Sequence, residues 1–428
     1  MFTPETPLRM WPTMLGKLAF LSGRGGLAWL AGTALAGLLV SCGGEAPAPW
    51  TEFQPGVAYT NVIVKEAPWS IHVVRVDRQQ TNLVFHTTHA RGVSIGLASV
   101  SEQVRSLPAS LGQPVAAMNG DYYQTRARPY FGDARGLQVA DGELLSSPIG
   151  GISFWIDPVG QPHLTNVESQ FRVVWTNGEP TPFGVNEPRR PSVAVLYTPS
   201  LGLRSTSTSN GLELVLEKAG EGPWLPLHAG ETITARVREV CTNANTPVEA
   251  DTMVLSFSPT LTSYVPPVVT GAVVRLVLET TPSLAGVRAA IGGGPALICR
   301  GKRQKWGKKP AEDEEPLPYQ FSSMQERHPR TALGWNARYL YFVIVDGRQK
   351  ELSAGMSLNE LASYMGRKLG CTEVMNFDGG GSSTLWCNGG VRNSPCDGWE
   401  RNVANTLIVV RQGEARNVPS LAPAPTTN

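Results

Sequence analysis

In this 428-residue chain the densest group of residues able to do chemistry is Asn376-Phe377-Asp378-Gly379-Gly380-Gly381-Ser382-Ser383-Thr384. A carboxylate precedes three glycines, and three hydroxyl residues follow before the apolar Leu385 and Trp386. Glycines expose main-chain N–H groups with no side chain in the way, and hydroxyls add donors, so such a turn suits anionic oxygen. It is not a P-loop, because no Gly-Lys-Ser/Thr follows, nor a nucleophile elbow, because no serine is framed as Gly-x-Ser-x-Gly. Taken alone, a glycine-rich turn is more often a tight connection than an anion site. Three further segments change that weighting. Met118 ends an apolar run before Asn119-Gly120-Asp121-Tyr122-Tyr123, Ile291 ends another before Gly292-Gly293-Gly294-Pro295, and Arg327-His328-Pro329-Arg330-Thr331 leads into Ala332-Leu333-Gly334. Buried strands that deliver polar groups at their ends are how a rigid scaffold presents a site.

The elements that must position these groups are mostly strands. Short apolar runs at Ile71–Val76, Pro114–Met118, Val193–Tyr197, Leu212–Leu216, Val287–Ile291, Tyr339–Val345, Val374–Phe377 and Thr406–Val410 read as strands, several too continuously apolar to have a wet face. With 45 glycines and 34 prolines, the composition favours many short strands and turns over a helical bundle. The best helix is Ser357–Leu369: Ser357 and Glu360 fit a capping box, Leu358, Leu361, Met365 and Leu369 fall at helical spacing, and Gly370 stands where a C-terminal cap belongs. A weaker helix is expected from about Leu97 to Leu107. The strand ending at Val345, this capped helix and the strand ending at Phe377 form a β-α-β crossover near the C-terminus, which normally makes the two strands parallel and right-handed. Asp346 and Asp378, each directly after its strand, would then emerge at the same edge of the sheet, where ligands bind in open sheets.

Taken together, Asn119-Gly-Asp-Tyr-Tyr123, the Ile291-Gly-Gly-Gly-Pro-Ala-Leu297 turn, Pro329-Arg-Thr-Ala-Leu-Gly334, Val345-Asp-Gly-Arg348, the helix after Ser353-Ala-Gly355, the Asn376–Thr384 segment and Arg401-Asn-Val-Ala-Asn405 resemble the successive motifs of the phosphodiester glycosidase family. The resemblance runs in the right order over roughly residues 55 to 412. It implies a single mixed α/β (α+β) catalytic domain, rich in strands, that cleaves a sugar-1-phosphodiester at the anomeric carbon. Tyr122 and Tyr123 stand where the pattern often shows phenylalanine. A mechanism on these residues needs a grip on the phosphodiester and support for positive charge on the sugar. Arg330 and Arg401 suit the phosphate, since guanidinium binds oxyanions through two parallel donors. The N–H groups of Gly379, Gly380, Gly381, Ser382 and Ser383 would complete the cradle, with Gly293 and Gly294 on a neighbouring turn. Asp378 and Asp346 would be the carboxylates beside the anomeric carbon. Asn119 and Asp121 would orient sugar hydroxyls or an attacking water.

Each role has a plainer counterpart. Asp346 could be a turn aspartate, Arg330 a structural ion-pair partner, and Asp121 a ligand of a divalent cation such as Ca²⁺, although sequence locates no set of six to eight oxygens and no cofactor is implied with certainty. His86 and His89 read as surface or core histidines, and no clustered Cys/His pattern argues for zinc. Trp335 and Trp399 lie beside motif residues and could stack on a sugar ring.

The N-terminus carries Lys17 and Arg24, an uncharged, mostly apolar run from Gly25 to Val40, and the ending Leu39-Val40-Ser41-Cys42. That is a signal-peptide layout with a lipobox, so residues 1–41 are expected to be a lipoprotein signal peptide and Cys42 the acylated anchor of an exported, membrane-attached bacterial lipoprotein. Residues 42–54 read as a tether, 55–412 as the catalytic domain with a charged insert loop at 302–327, and 413–428 as a disordered tail. Removing residues 1–41 takes away Arg9, Lys17, Arg24 and Glu5 and leaves a net charge near zero, which argues against a nucleic-acid partner. The expected partner is a phosphodiester-linked glycan, with the membrane contacted through the anchor. Export permits disulfides, and Cys387 and Cys396, flanking a Gly/Asn/Pro-rich loop, are the expected pair. Two other readings stand beside the hydrolase: a non-catalytic glycan-binding lipoprotein, and a phosphodiesterase that breaks P–O.

Overall fold

Along Tyr339–Val345 the side chains of Leu340, Phe342 and Ile344 point to one face and those of Tyr341, Val343 and Val345 to the other, and both sets are buried in different cores. This two-sided burial is why the strand reads as an unbroken apolar run. It lies near the centre of an eight-stranded sheet in the computed structural model, which describes residues 49–413 except 93–94, 126–129, 203, 206–209 and 306–320. The expected signal peptide, Cys42, most of the tether, the tail after Gly413 and the middle of the charged insert lie outside the described residues.

On one face of this sheet packs the helix Leu358–Lys368, through Leu358, Leu361, Ala362 and Met365. Its capping box is present as the sequence predicts: Ser357 accepts from the Glu360 amide, Glu360 returns to the Ser357 amide, and Gly370 takes a φ of +66° after the last turn. On the other face lie two five-stranded sheets. One contributes Met118, Leu385, Leu407 and Val409, the other Phe154 and Ile291, to a shared core. A short helix, Val100–Arg105, begins at a second capping box on Ser99 and Glu102 and covers the outer side of the first of these sheets, packing on Ala117, Ile408 and Val410. The central layers are therefore helix, sheet, sheet, helix, a β-rich α+β architecture.

The crossover is realised with one strand between its two arms. Arg330–Trp335 pairs antiparallel with both Tyr339–Val345 and Glu373–Asn376, so the two outer strands run parallel and end on the same side. Arg330 starts opposite Val345, and Ala332 faces Asn376, which sets Arg330, Asp346 and Asp378 at one end of the sheet. Between Arg172 and Val277 seven strands close into a barrel with its own core, including Phe183, Leu196, Leu214, Ile233, Leu255 and Leu276. Closure leaves no open edge, which lets so many short strands persist without a covering helix. Apolar runs at Val193 and Leu212 mark two of those strands, but nothing in their pattern indicates closure.

Candidate active site

Hydrogen bonds tie the motif loops to one another. Asn119, fully buried at the end of Gln113–Asn119, donates from Nδ2 to the Asp378 carbonyl (2.7 Å) and accepts at Oδ1 from the Thr331 hydroxyl (2.8 Å) and the Thr384 amide (3.1 Å). One amide side chain thus fastens three segments far apart in the chain. Tyr122 donates its hydroxyl to the Gly294 carbonyl (3.0 Å) and accepts from Asn376 Nδ2 (3.0 Å). Asn405 Oδ1 accepts from the Asp121 amide (2.9 Å), and the Tyr123 hydroxyl donates to the Asn402 carbonyl (3.1 Å). Close approach explains the glycines: a side chain on Gly379 would meet the Pro329 carbonyl, one on Gly293 would meet Met375 and Phe377, and one on Gly292 or Gly136 would meet the Asp121 carboxylate.

Two carboxyls of the motif loops, Asp378 and Asp121, carry raised pKa values. Burial pushes Asp378, which remains partly exposed, up to about 6, opposed by the Ser382 hydroxyl, the Arg401 and Arg135 guanidiniums and the Gly379 amide. Asp121 is buried, and desolvation raises it to about 7; its oxygens accept from the Tyr122 and Gly136 amides (both 2.7 Å), and the charge of Asp378 adds to the rise. Each oxygen of Asp121 therefore meets a donor, an arrangement that suits an anion-binding backbone better than a cation ligand. Among the described residues no three His, Cys, Asp or Glu side chains gather as metal ligands.

Asp346 is held by a hydrogen-bond set of its own. Its Oδ2 accepts from Ser70 Oγ and His72 Nε2 (both 2.8 Å), and Oδ1 from the Ser394 amide (2.9 Å), with Asn393 Nδ2 at 3.4 Å. The His72 ring in turn accepts from the Tyr59 hydroxyl at 2.8 Å, when its proton faces Asp346. This buried Tyr59–His72–Asp346 chain fixes the segment after Ser383, whose carbonyl accepts from Asn393 Nδ2 at 3.0 Å. The carboxyl electrostatically coupled to Asp378 is thus Asp121. Arg330 is buried too, and its guanidinium donates to the carbonyls of Met356 (2.7 Å), Ser323 (2.5 Å) and Glu326 (2.7 Å); desolvation lowers its pKa to about 10.

In the glycine turn, the Gly380 amide donates to the Pro329 carbonyl (3.0 Å), Ser382 to Gly379 (3.2 Å) and Ser383 to Gly380 (3.3 Å). Those three amides hold the turn together. Ser382 and Ser383 are buried, with the Ser382 hydroxyl between Asp378 and Tyr123 and the Ser383 hydroxyl accepting from Thr331 at 3.2 Å. The turn makes room for guanidiniums instead. A Cβ on Gly380, which has a φ of +63°, would lie 3.1 Å from Arg348 Nη1, and one on Gly381 would overlap the Arg401 guanidinium. Asp397 steadies Arg401 at 2.7 and 2.9 Å, whereas exposed Arg348 contacts His328 Nδ1 at 3.3 Å and acts on the Cys396 thiol. Arg348 is the residue that sequence reasoning passed over, although it closes the Val345–Arg348 motif; the signal was a third cation inside a motif, not its spacing.

Other expectations resolve differently. Trp335 is a core residue packed on Phe154 at 5.7 Å, whereas Trp399 is 70% exposed. His86 and His89 lie in the Leu83–His89 strand, and burial lowers both, His89 to about 4. Cys387 and Cys396 are both free thiols: Cys387 is buried in its strand, and Cys396 lies against Asp397 at 3.7 Å, so the expected disulfide is not formed. Among the described residues no helix is long and apolar enough to cross a membrane.

Residues 238–410 match the family described as phosphodiester glycosidase. A Bacillus subtilis (strain 168) SPbeta prophage-derived protein, YomE, itself uncharacterised, is 32% identical over 119 residues, covering 26% of this chain and only 18% of that protein. Among solved structures, a hypothetical protein from Synechocystis superposes with a TM-score of 0.67 at 16% identity, over 86% of this chain and 64% of that one. A candidate exported protein from Burkholderia pseudomallei K96243 gives 0.58 at 20% identity, over 80% and 74%. The zebrafish N-acetylglucosamine-1-phosphodiester alpha-N-acetylglucosaminidase catalytic domain, auto-inhibited by its pro-peptide, gives 0.42 at 13% identity, over 86% and 87%. The Asn119–Tyr123 segment precedes the matched residues yet is hydrogen-bonded into them. Residues 238–410 are thus the part of this chain that is similar to the phosphodiester glycosidase family.

Proposed function

We propose that the protein hydrolyses the glycosidic C–O bond of a sugar-1-phosphodiester in an exported or cell-envelope glycan, working on the outer side of a membrane to which Cys42 tethers it. One observation carries the reading: the Gly379–Gly381 turn brings a carboxyl with a pKa near 6 together with two guanidiniums, Arg348 and Arg401. A phosphodiester joined to an anomeric carbon needs both. The guanidiniums neutralise the phosphate, and ionised Asp378 stabilises positive charge developing on the sugar. The C1–O bond breaks, its electron pair leaves with the phosphate monoester, water oxygen bonds to C1, and the water's proton passes to a carboxylate or solvent. A phosphate ester is a good leaving group, so strong acid assistance is less necessary than for an ordinary glycoside. Buried Asp121 holds the Tyr122 and Gly136 amides, and the charge of Asp378 helps to keep it protonated near neutrality.

The beginning of the barrel side offers room for the sugar. Arg135, whose charge acts on both Asp121 and Asp378, also lines a cavity of about 780 Å³ with Phe171, Phe183, Glu187 and Arg190, within the size range of small-molecule sites. Hydrolysis of a panel of methyl hexose-1-phosphodiesters in ¹⁸O-labelled water tests the reading. Label in the released sugar is expected; label in the phosphate assigns P–O cleavage instead, and no release from any member by folded protein favours a binding role.

A further inference from the structure

Arg401 lines a second groove, of about 470 Å³, together with Tyr123, Phe131, Trp399 and Asn402. Its aromatic lining is unusual for this molecule. Three aromatic side chains stand out as strongly exposed among the described residues, Phe131 at 45%, Trp399 at 70% and Tyr264 at 77%, and two of them meet in this groove. Leaving an indole in water forgoes one of the largest burial gains a side chain can offer. Nor does Trp399 hang on a loose segment. Arg401 pairs with Asp397, Glu400 accepts from the Ser101 amide at 3.0 Å, Tyr123 donates to the Asn402 carbonyl, and Val403 exchanges main-chain hydrogen bonds with Ala98 at 2.9 and 3.2 Å. The ring is held out on a fastened loop, as a preorganised contact surface would be.

We infer that this groove is a second carbohydrate subsite, which takes a pyranose ring on the far side of the phosphate from the scissile sugar, so that the substrate is an oligomeric, phosphodiester-linked glycan. The inference rests on the hydrolase reading for which ring is cleaved. The occupant is chosen by what the groove joins: Arg401 lines it and also reaches the glycine turn beside Asp378, so whatever fills it is continuous with the phosphate position. Flat aromatic faces suit the C–H face of a pyranose, while Thr125, Glu400 and Asn402 offer polar partners for ring hydroxyls at the rim. A purely apolar partner would strip water from those rim groups and offer them no hydrogen bond in return.

The test uses the folded chain with two probes, a neutral tetrasaccharide panel built from glucose, mannose or N-acetylglucosamine, and an oligomeric hexose phosphodiester set against its methyl phosphodiester counterpart. Calorimetry is expected to detect binding of at least one tetrasaccharide, weakened about tenfold by Trp399→Ala and largely kept by Trp399→Phe. Trp399→Ala and Phe131→Ala are each expected to raise KM for the oligomer about tenfold with kcat held, so that its kcat/KM relative to the methyl ester falls by the same factor. Turnover of methyl esters with no oligomer preference, or with the same preference in Trp399→Ala, overturns the subsite and leaves the hydrolase reading standing. Tetrasaccharide binding that depends on Trp399, with no turnover of any phosphodiester, does the reverse.

Discussion

In the proposed reaction Asp378 is the residue on which the chemistry turns, and its raised pKa gives that reaction a pH signature. A carboxyl that acts ionised is ready only above its pKa, so kcat/KM is expected to climb as pH rises through about 6 and to level off above it. Asp378→Asn is expected to lower turnover by about a thousandfold or more while circular dichroism stays unchanged; a variant within tenfold of the parent removes Asp378 from the reaction. The three arginines should separate by what their replacement damages. Arg330 caps three carbonyls inside the protein, so Arg330→Ala should cost about 3 kcal/mol or more of stability, read as a lower Tm, before any kinetic effect is considered. Arg348→Ala and Arg401→Ala should leave Tm nearly unchanged and raise KM for phosphodiesters; a Tm loss there matching that of Arg330→Ala would move the phosphate grip elsewhere. Sequence alone could not make this division. It shows that an arginine is present in a motif, but whether its donors face carbonyls or a cleft depends on partners such as Met356 and Ser323, which no spacing rule connects to it. The hydrogen bonds that hold Asp346 are hidden for the same reason: its partners Ser70 and His72 come from a strand more than 270 residues earlier.

Among the elements, those defined by local chemistry were the legible ones. Ser357 with Glu360, followed by a helical apolar stripe and Gly370, specifies a helix by itself, and the parallel arms of the crossover follow from having that helix between two strands. Insertion of Arg330–Trp335 between the arms, and closure of the Arg172–Val277 strands into a barrel, depend on strand pairing at long range and leave no periodic mark. The glycine triplet was legible as a turn but for an incomplete reason. Bare amides looked like its purpose, yet two of the turn's N–H groups bond inside it and a third bonds to the Pro329 carbonyl, while the missing side chains clear space for Arg348 and Arg401. Gly381→Ala makes that argument quantitative. Its new methyl group would meet only the ends of Arg401 and Asp397, which can move, so the fold should survive, with a Tm change of a few degrees. Displacing Arg401 should raise phosphodiester KM about as much as Arg401→Ala does. If Gly381→Ala binds substrate like the parent, Arg401 does not act from the position seen here.

Across the whole molecule, the charge that serves the site opposes folding. Asp378 holds its proton up to about pH 6 in the folded state but only to its ordinary 3.8 when unfolded. Below about pH 4 the carboxyl is protonated in both states and costs nothing; as pH rises from 4 to 6 the unfolded chain sheds the proton first, so stability declines, and above 6 the full penalty persists. From two pKa units that penalty is about 1–3 kcal/mol. Asn at 378 cannot ionise, so the variant should match the parent near pH 4 and gain on it by that amount at pH 8, as read by urea unfolding at both values. Half-buried His89, held neutral down to about 4, pulls the other way by weakening the fold as pH falls from 6.5, but it does so equally in both proteins and cancels from the difference. An inactive Asp378→Asn enzyme that is more stable than its parent only at high pH would therefore tie the loss of catalysis to the same desolvated carboxylate. A stability gap that does not widen with pH would mean that Asp378 meets water freely, and the acidity ascribed to it, together with the pH profile built on it, would have to be abandoned.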